Sequence, residues 1–188
     1  MNILYLHGFN SAPNNSNKYQ ILRAYCIKHG YDLTTPKIDY RNIESEIRRL
    51  TNMIQEDEWV IIGSSLGGWL AYTLSRLTLH KCVLINPSIE PNVSLAVHNN
   101  KTLTNHGNGD VKEWLPMHTK QYNKLIINNI APTLVLLDSA DEVIDSHNSY
   151  RMFENYAQVE MFDGGDHRFQ HMLESMIYID EMVNHVHL

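Results

Sequence analysis

The stretch VIIGSSLGGWLAY, residues 60–72, sets serine among glycines where an aliphatic run meets a helix-like one. Two serines are adjacent, but only one register satisfies Gly-x-Ser-x-Gly. Gly63, Ser65 and Gly67 fit, whereas Ser64 would need glycines where Ile62 and Leu66 stand. A hydroxyl attacks poorly at neutral pH unless a base takes its proton, and a sharp strand-to-helix turn exposes it for attack. Glycines two before and two after leave room where the chain doubles back. The pattern nominates Ser65 as a nucleophile; a glycine-rich turn that merely packs tightly is the plain alternative.

Such a serine needs a base, an acid to orient the base, and two donors for the oxyanion. On an elbow of this kind the chain order is serine, acid, histidine. Eleven histidines are present, and FDGGDHRF places His167 in a glycine-bearing loop between a strand and the final helix. His147 and His171 fall in helical patterns. For the acid, LLDSADEVID offers Asp138, Asp141, Glu142 and Asp145. Asp141 lies in the loop and is the preferred partner of His167, Asp138 at the strand end is the next choice, and Asp145 falls inside the following helix. A helix cap is the structural alternative for Asp141. The Leu66 N–H, directly after the serine, is one oxyanion donor; the second is the N–H of Phe9, or of Asn10, in LHGFNS. His7, just before a glycine at a strand end, reads as fixing that loop by hydrogen bonding.

The elements that must position these groups follow from periodicity. Buried strands are expected at 2–7, 31–34, 59–62, 81–86, 133–137 and 159–162, from short aliphatic runs bounded by turn residues. Ser16 caps a helix that Gly30 closes, and Ile43, Ile47, Leu50 and Ile54 form the apolar stripe of an amphipathic helix over 42–55. Further helices are expected at 66–79, 143–156 and 169–183. Strands alternating with helices predict an α/β fold with a six-stranded, mostly parallel, doubly wound sheet covered on both faces. In such a sheet the loops after the first and third strands flank one crevice.

Residues 88–130 break the rhythm: polar, asparagine-rich, with NHGNGD at the centre and a weak helical pattern over 114–125. A connection this long without a clear strand suggests a small cap or substrate-binding excursion, or a longer crossover.

The 188 residues suit a single domain. With 15 Lys and Arg against 21 Asp and Glu, the net charge of -6 offers no footprint for nucleic acid. Two cysteines, Cys26 and Cys82, are too few for a disulfide framework, and neither a secretory leader nor a membrane-length apolar run is evident, so a cytoplasmic protein is expected. No His, Cys and Asp set has convincing metal-ligand spacing, so neither metal nor cofactor is expected.

The segments ILYLHGFNSAP, IIGSSLGGWLA, LINPSIEP, DEVID and GGDHRFQ, in this order, resemble the α/β-hydrolase superfamily and within it the small bacterial YqiA-like esterases. The resemblance implies a serine esterase or thioesterase acting on small acyl substrates through Ser65, Asp141 and His167. A peptidase or amidase using the same triad, and a binding protein that keeps the fold without catalysis, are the rival readings.

Overall fold

Parallel strands buried on both faces need continuous apolar runs, and ILYL, WVII, CVLI and TLVLL supply them. The computed structural model describes residues 1–14 and 16–184. In chain order its elements are β1 (Asn2–Leu6), α1 (Asn17–His29), β2 (Asp32–Thr34), α2 (Ile43–Met53), β3 (Trp59–Ser64), α3 (Leu66–Thr78), β4 (Lys81–Ile85), α4 (Pro91–Ser94), β5 (Lys101–Thr104), β6 (Val111–Trp114), α5 (Pro116–Thr119), β7 (Thr133–Asp138), α6 (Ser146–Phe153), β8 (Gln158–Phe162) and α7 (Met176–Asn184). Six strands form one sheet in the order β2-β1-β3-β4-β7-β8, every neighbouring pair parallel.

Alternation along the strands feeds two cores. Leu4, Leu6, Ile61, Leu84, Val135 and Leu137 face one way, against residues of α2, α3 and α6 that include Ile43, Leu50, Leu70, Leu74 and Phe153. Ile3, Tyr5, Val60, Ile62, Val83 and Ile85 face the other, against Leu22 and Cys26 of α1 and Ile179, Met182 and Val183 of α7. This is the doubly wound, parallel α/β sheet that the alternation of strands and helices predicts. Its strand order reverses at β1 and β3, so the loops after those two strands open on a common crevice.

Helix ends follow local chemistry. The Ser16 side chain accepts a hydrogen bond from the Tyr19 N–H at 3.2 Å, and Gly30 ends α1 at φ +69°. At the join of β3 and α3 the backbone is forced close. A Cβ on Gly63 would stand 2.0 Å from the Gly67 carbonyl oxygen, and one on Gly67 2.2 Å from the Leu6 carbonyl oxygen.

Three segments differ from expectation. Residues 88–130 contain a two-stranded antiparallel sheet, with Lys101 opposite Trp114 and Thr104 opposite Val111, which the sequence reading lacks. Trp114 ends that hairpin instead of beginning a helix, and of the helical pattern expected over 114–125 only Pro116–Thr119 is helical, proline being suited to a first turn and not to an interior. Residues 169–175 are turns rather than helix, so His171 is not helical; Phe169 has φ +60°, outside helical space. Asp145 caps α6 by accepting from the Asn148 N–H at 2.9 Å instead of lying within it. The excursion is sewn to the body: Trp69 Nε1 donates to the Asn123 carbonyl at 2.8 Å and Tyr72 Oη to that of Asn128 at 3.0 Å. Trp69, Tyr72 and Trp114 are all buried core residues. No helix among the described residues is long and apolar enough to cross a membrane.

Gly67→Ala is expected to cost about 3 kcal/mol or more, because the added methyl meets backbone that cannot yield. Gly30→Ala meets no atom within 4 Å and should cost only about 1 kcal/mol, for the left-handed backbone alone. Urea unfolding of both variants checks the contrast.

Candidate active site

Ser65 stands alone between β3 and α3 with φ 56° and ψ -122°, a conformation L-residues avoid and one that costs roughly 1–3 kcal/mol. The surroundings over-determine it. The Ser65 N–H donates to the Ile85 carbonyl at 2.9 Å, and its own carbonyl accepts from Gly68 N–H at 2.9 Å and Ser88 N–H at 3.0 Å. With both backbone groups tied, the side chain is turned out of the sheet, partly exposed, at the N-terminal end of α3.

His167 Nε2 lies 3.0 Å from Ser65 Oγ, across 102 residues of chain. On the far side of the ring, Nδ1 lies 2.9 Å from Asp141 Oδ2 and 3.0 Å from Oδ1. The carboxylate accepts the Nδ1 proton, which leaves the Nε2 lone pair for the serine hydroxyl. Asp141 is itself fixed, since Oδ1 also accepts from the Val143 and Ile144 N–H groups at 2.8 Å each. Its side chain is 1% exposed against 22% for His167, so the carboxylate is shielded while the imidazole reaches the cleft.

Of the other sequence candidates, Asp138 does not touch His167. Fully buried at the end of β7, it organises the loop that carries the histidine: its carboxylate accepts from His171 Nδ1 at 2.7 Å, Gln170 N–H at 2.7 Å and Asp166 N–H at 3.2 Å. Lys18 Nζ donates to the Arg168 carbonyl at 2.6 Å, Asn86 Nδ2 to that of Asp166 at 3.0 Å, and the His167 N–H to Glu142 Oε2 at 3.0 Å. Burial pulls the Lys18 ammonium down to about 8. Asp138 was legible only as a strand-end carboxylate; Lys18 and Asn86 carried no sequence signal for these roles.

Gly8 packs directly on Ser65, a Cβ there falling 3.2 Å from Ser65 Cβ. The loop after β1 therefore lies beside the hydroxyl. Among the described residues no hydrogen bond is made by the N–H groups of Phe9 and Leu66. His7 is buried, with Nδ1 2.9 Å from the Gly8 carbonyl, and burial lowers its pKa, so it stays neutral and holds its loop.

Ser65 and His167 open into a cleft of about 640 Å³ with a mixed lining, polar at Asn10, Asn17, Lys18 and Gln170 and apolar at Phe9 and Phe169. A smaller hollow of about 80 Å³, walled by Phe9, Tyr40, Leu103 and Trp114, lies across residues 9–11 and touches none of Ser65, Asp141 and His167. Burial pushes the Cys26 and Cys82 thiols up to about 11, so neither is a thiolate nucleophile at neutral pH. Among the described residues no three His, Cys, Asp or Glu side chains gather to hold a metal ion. The arrangement can take a proton from a hydroxyl and stabilise the resulting imidazolium.

Comparison with known proteins agrees with this architecture. A monoacylglycerol lipase of Paleococcus ferrophilus is similar in structure with a TM-score of 0.73 at 16% identity, covering 98% of this chain and 95% of that one. Est1E of Butyrivibrio proteoclasticus, solved with ferulic acid bound, gives 0.73 at 12% identity, covering 98% and 90%. Likeness at these identities is one of fold. In sequence, a UPF0227 protein of Vibrio vulnificus is 27% identical over 174 residues, covering 89% of this chain and 91% of the relative. Residues 2–184 match the Uncharacterised protein family UPF0227, and the chain belongs to that family.

Proposed function

We propose that this chain is a serine hydrolase that cleaves carboxylic ester or thioester bonds of small acyl substrates, built as one domain with residues 88–130 as an excursion beside the site. The observation that carries the reading is the contact between Ser65 Oγ and His167 Nε2 at 3.0 Å, with Asp141 on the opposite ring nitrogen.

In this mechanism His167 Nε2 takes the hydroxyl proton as Ser65 Oγ bonds to the carbonyl carbon. The carbonyl oxygen becomes an oxyanion, held by the Phe9 and Leu66 N–H groups. Asp141 keeps the Nδ1 proton in place and stabilises the imidazolium. His167 then passes its proton to the departing alcohol or thiol, leaving an acyl group on Ser65. A water molecule, deprotonated by His167, attacks that acyl carbon and releases the acid, restoring the serine. The polar groups set into the cleft at Asn10, Asn17, Lys18 and Gln170 interrupt its apolar wall and so favour short or polar substituents over long alkyl chains.

Ser65→Ala is expected to abolish turnover of an activated short-chain ester, with unchanged circular dichroism and lost labelling by a fluorophosphonate; near-wild-type turnover would refute the assignment. Asp141→Asn should lower kcat by roughly 10²–10⁴ because the imidazole loses its preferred tautomer. Across a series of 4-nitrophenyl esters, kcat/KM is expected to be highest for acetate to butyrate and to fall for decanoate and longer. Matching thioester and anilide substrates, run alongside, separate esterase or thioesterase action from amidase action.

A further inference from the structure

Phe9 precedes a short stretch of backbone that has no secondary structure of its own. Asn10 sits at φ +54°, in the left-handed region, so Phe9–Ala12 needs an external hold if its amide is to stay beside Ser65. The hairpin of β5 and β6 supplies one. Asn10 Nδ2 donates to the Thr104 carbonyl at 2.6 Å, the His106 N–H donates to the Asn10 carbonyl at 3.0 Å, and Asn105 Nδ2 donates to the Ser11 carbonyl at 2.9 Å. At the next residue the two segments touch so closely that a Cβ on Gly107 would fall 2.3 Å from that of Ala12. The Phe9 ring meets Trp114, the last residue of the hairpin, edge-on at 4.8 Å between centroids. Three hydrogen bonds and two packing contacts thus join the hairpin to the loop across about 95 residues of sequence.

Asn105 does two separable things. Its Oδ1 accepts from the Gly107 N–H at 2.8 Å and the Asn108 N–H at 3.1 Å, which shapes the hairpin turn, while its Nδ2 reaches out to the loop. We propose that the hairpin is a clamp on the oxyanion loop, and that Asn105 and Asn10 are positioning residues that set the Phe9 amide for the transition state. The inference rests on the hydrolase reading above and assigns a role to the excursion: it aims a donor beside the serine. Catalytic groups misplaced by about 1 Å lose roughly 10²-fold in rate, so a clamp of this kind acts on kcat more than on KM.

Asn105→Asp keeps the turn-forming oxygen and replaces the donor to Ser11 with an anionic oxygen that repels its carbonyl. Asn10→Gly keeps a residue at ease with positive φ and removes the donor to Thr104. Each variant, compared with wild type, is expected to lose about tenfold or more in kcat on a short 4-nitrophenyl ester with KM within about twofold, less than the roughly 10²–10³ lost with an oxyanion donor outright. Inhibition by a trifluoromethyl ketone, which forms an oxyanion on Ser65, should weaken by a similar factor, while inhibition by the product acid should stay unchanged. Hydrogen exchange at the His106 amide, bonded to Asn10, should speed up in both variants and reports on the clamp without reference to turnover. A folded variant with faster His106 exchange but wild-type kcat and ketone affinity overturns the positioning role, and unchanged exchange overturns the clamp itself. Should one variant not fold, the other decides. Wild-type protein that neither turns over the ester nor takes a fluorophosphonate on Ser65 defeats the hydrolytic reading, and with it the catalytic consequence of the clamp.

Discussion

The structure turns on how closely the backbone of β1 approaches the first turn of α3. Gly67 lies so near the Leu6 carbonyl that no side chain fits between them, and Gly63 is pressed on Gly67 in the same way. That approach lets the chain reverse at Ser65 in a strained conformation while both backbone groups of the serine remain bonded. A looser junction would let the residue relax into ordinary helical or extended space, and the hydroxyl would swing back toward the sheet. The strain persists because the sheet on one side and the Ser88 N–H on the other leave no alternative.

Two irregular segments then have to meet that fixed point, and each is held by side chains from elsewhere. The His167 loop is gripped by Asp138, whose carboxylate captures N–H groups on both sides of the histidine, with Lys18 and Asn86 tying neighbouring carbonyls. A buried carboxylate costs free energy unless its hydrogen-bonding capacity is filled, and here two amides and an imidazole fill it. The same captures explain why the chain stays in turns up to Ser175 instead of starting its last helix at Phe169. The loop after β1 is held from outside too, by the β5–β6 hairpin.

What the sequence made legible was whatever has short-range causes. Aliphatic runs between turn residues gave all six sheet strands, Ser16 and Gly30 marked the limits of α1, and glycine spacing singled out Ser65 over Ser64. Chain order nominated Ser65, Asp141 and His167, whose side chains lie within hydrogen-bond distance in sequence from hydroxyl to ring to carboxylate. The hairpin escaped notice because it buries little. Lys101, Thr102, Thr104, Val111 and Glu113 are exposed, so the alternation that marks a half-buried strand is nearly absent. The roles of Lys18 and Asn86 escaped for a different reason: their partners lie 150 and 80 residues away, and nothing local distinguishes them from any surface lysine or loop asparagine.

The separation of 102 residues between Ser65 and His167 has a bearing on how the protein is born. The elbow belongs to the middle of the sheet, whereas the imidazole arrives only with β8, an edge strand that docks on β7. A chain that ends before β8 therefore contains the whole serine elbow and lacks the imidazole that lies against it. The contact between hydroxyl and ring is thus a property of the completed sheet and of no smaller part of it.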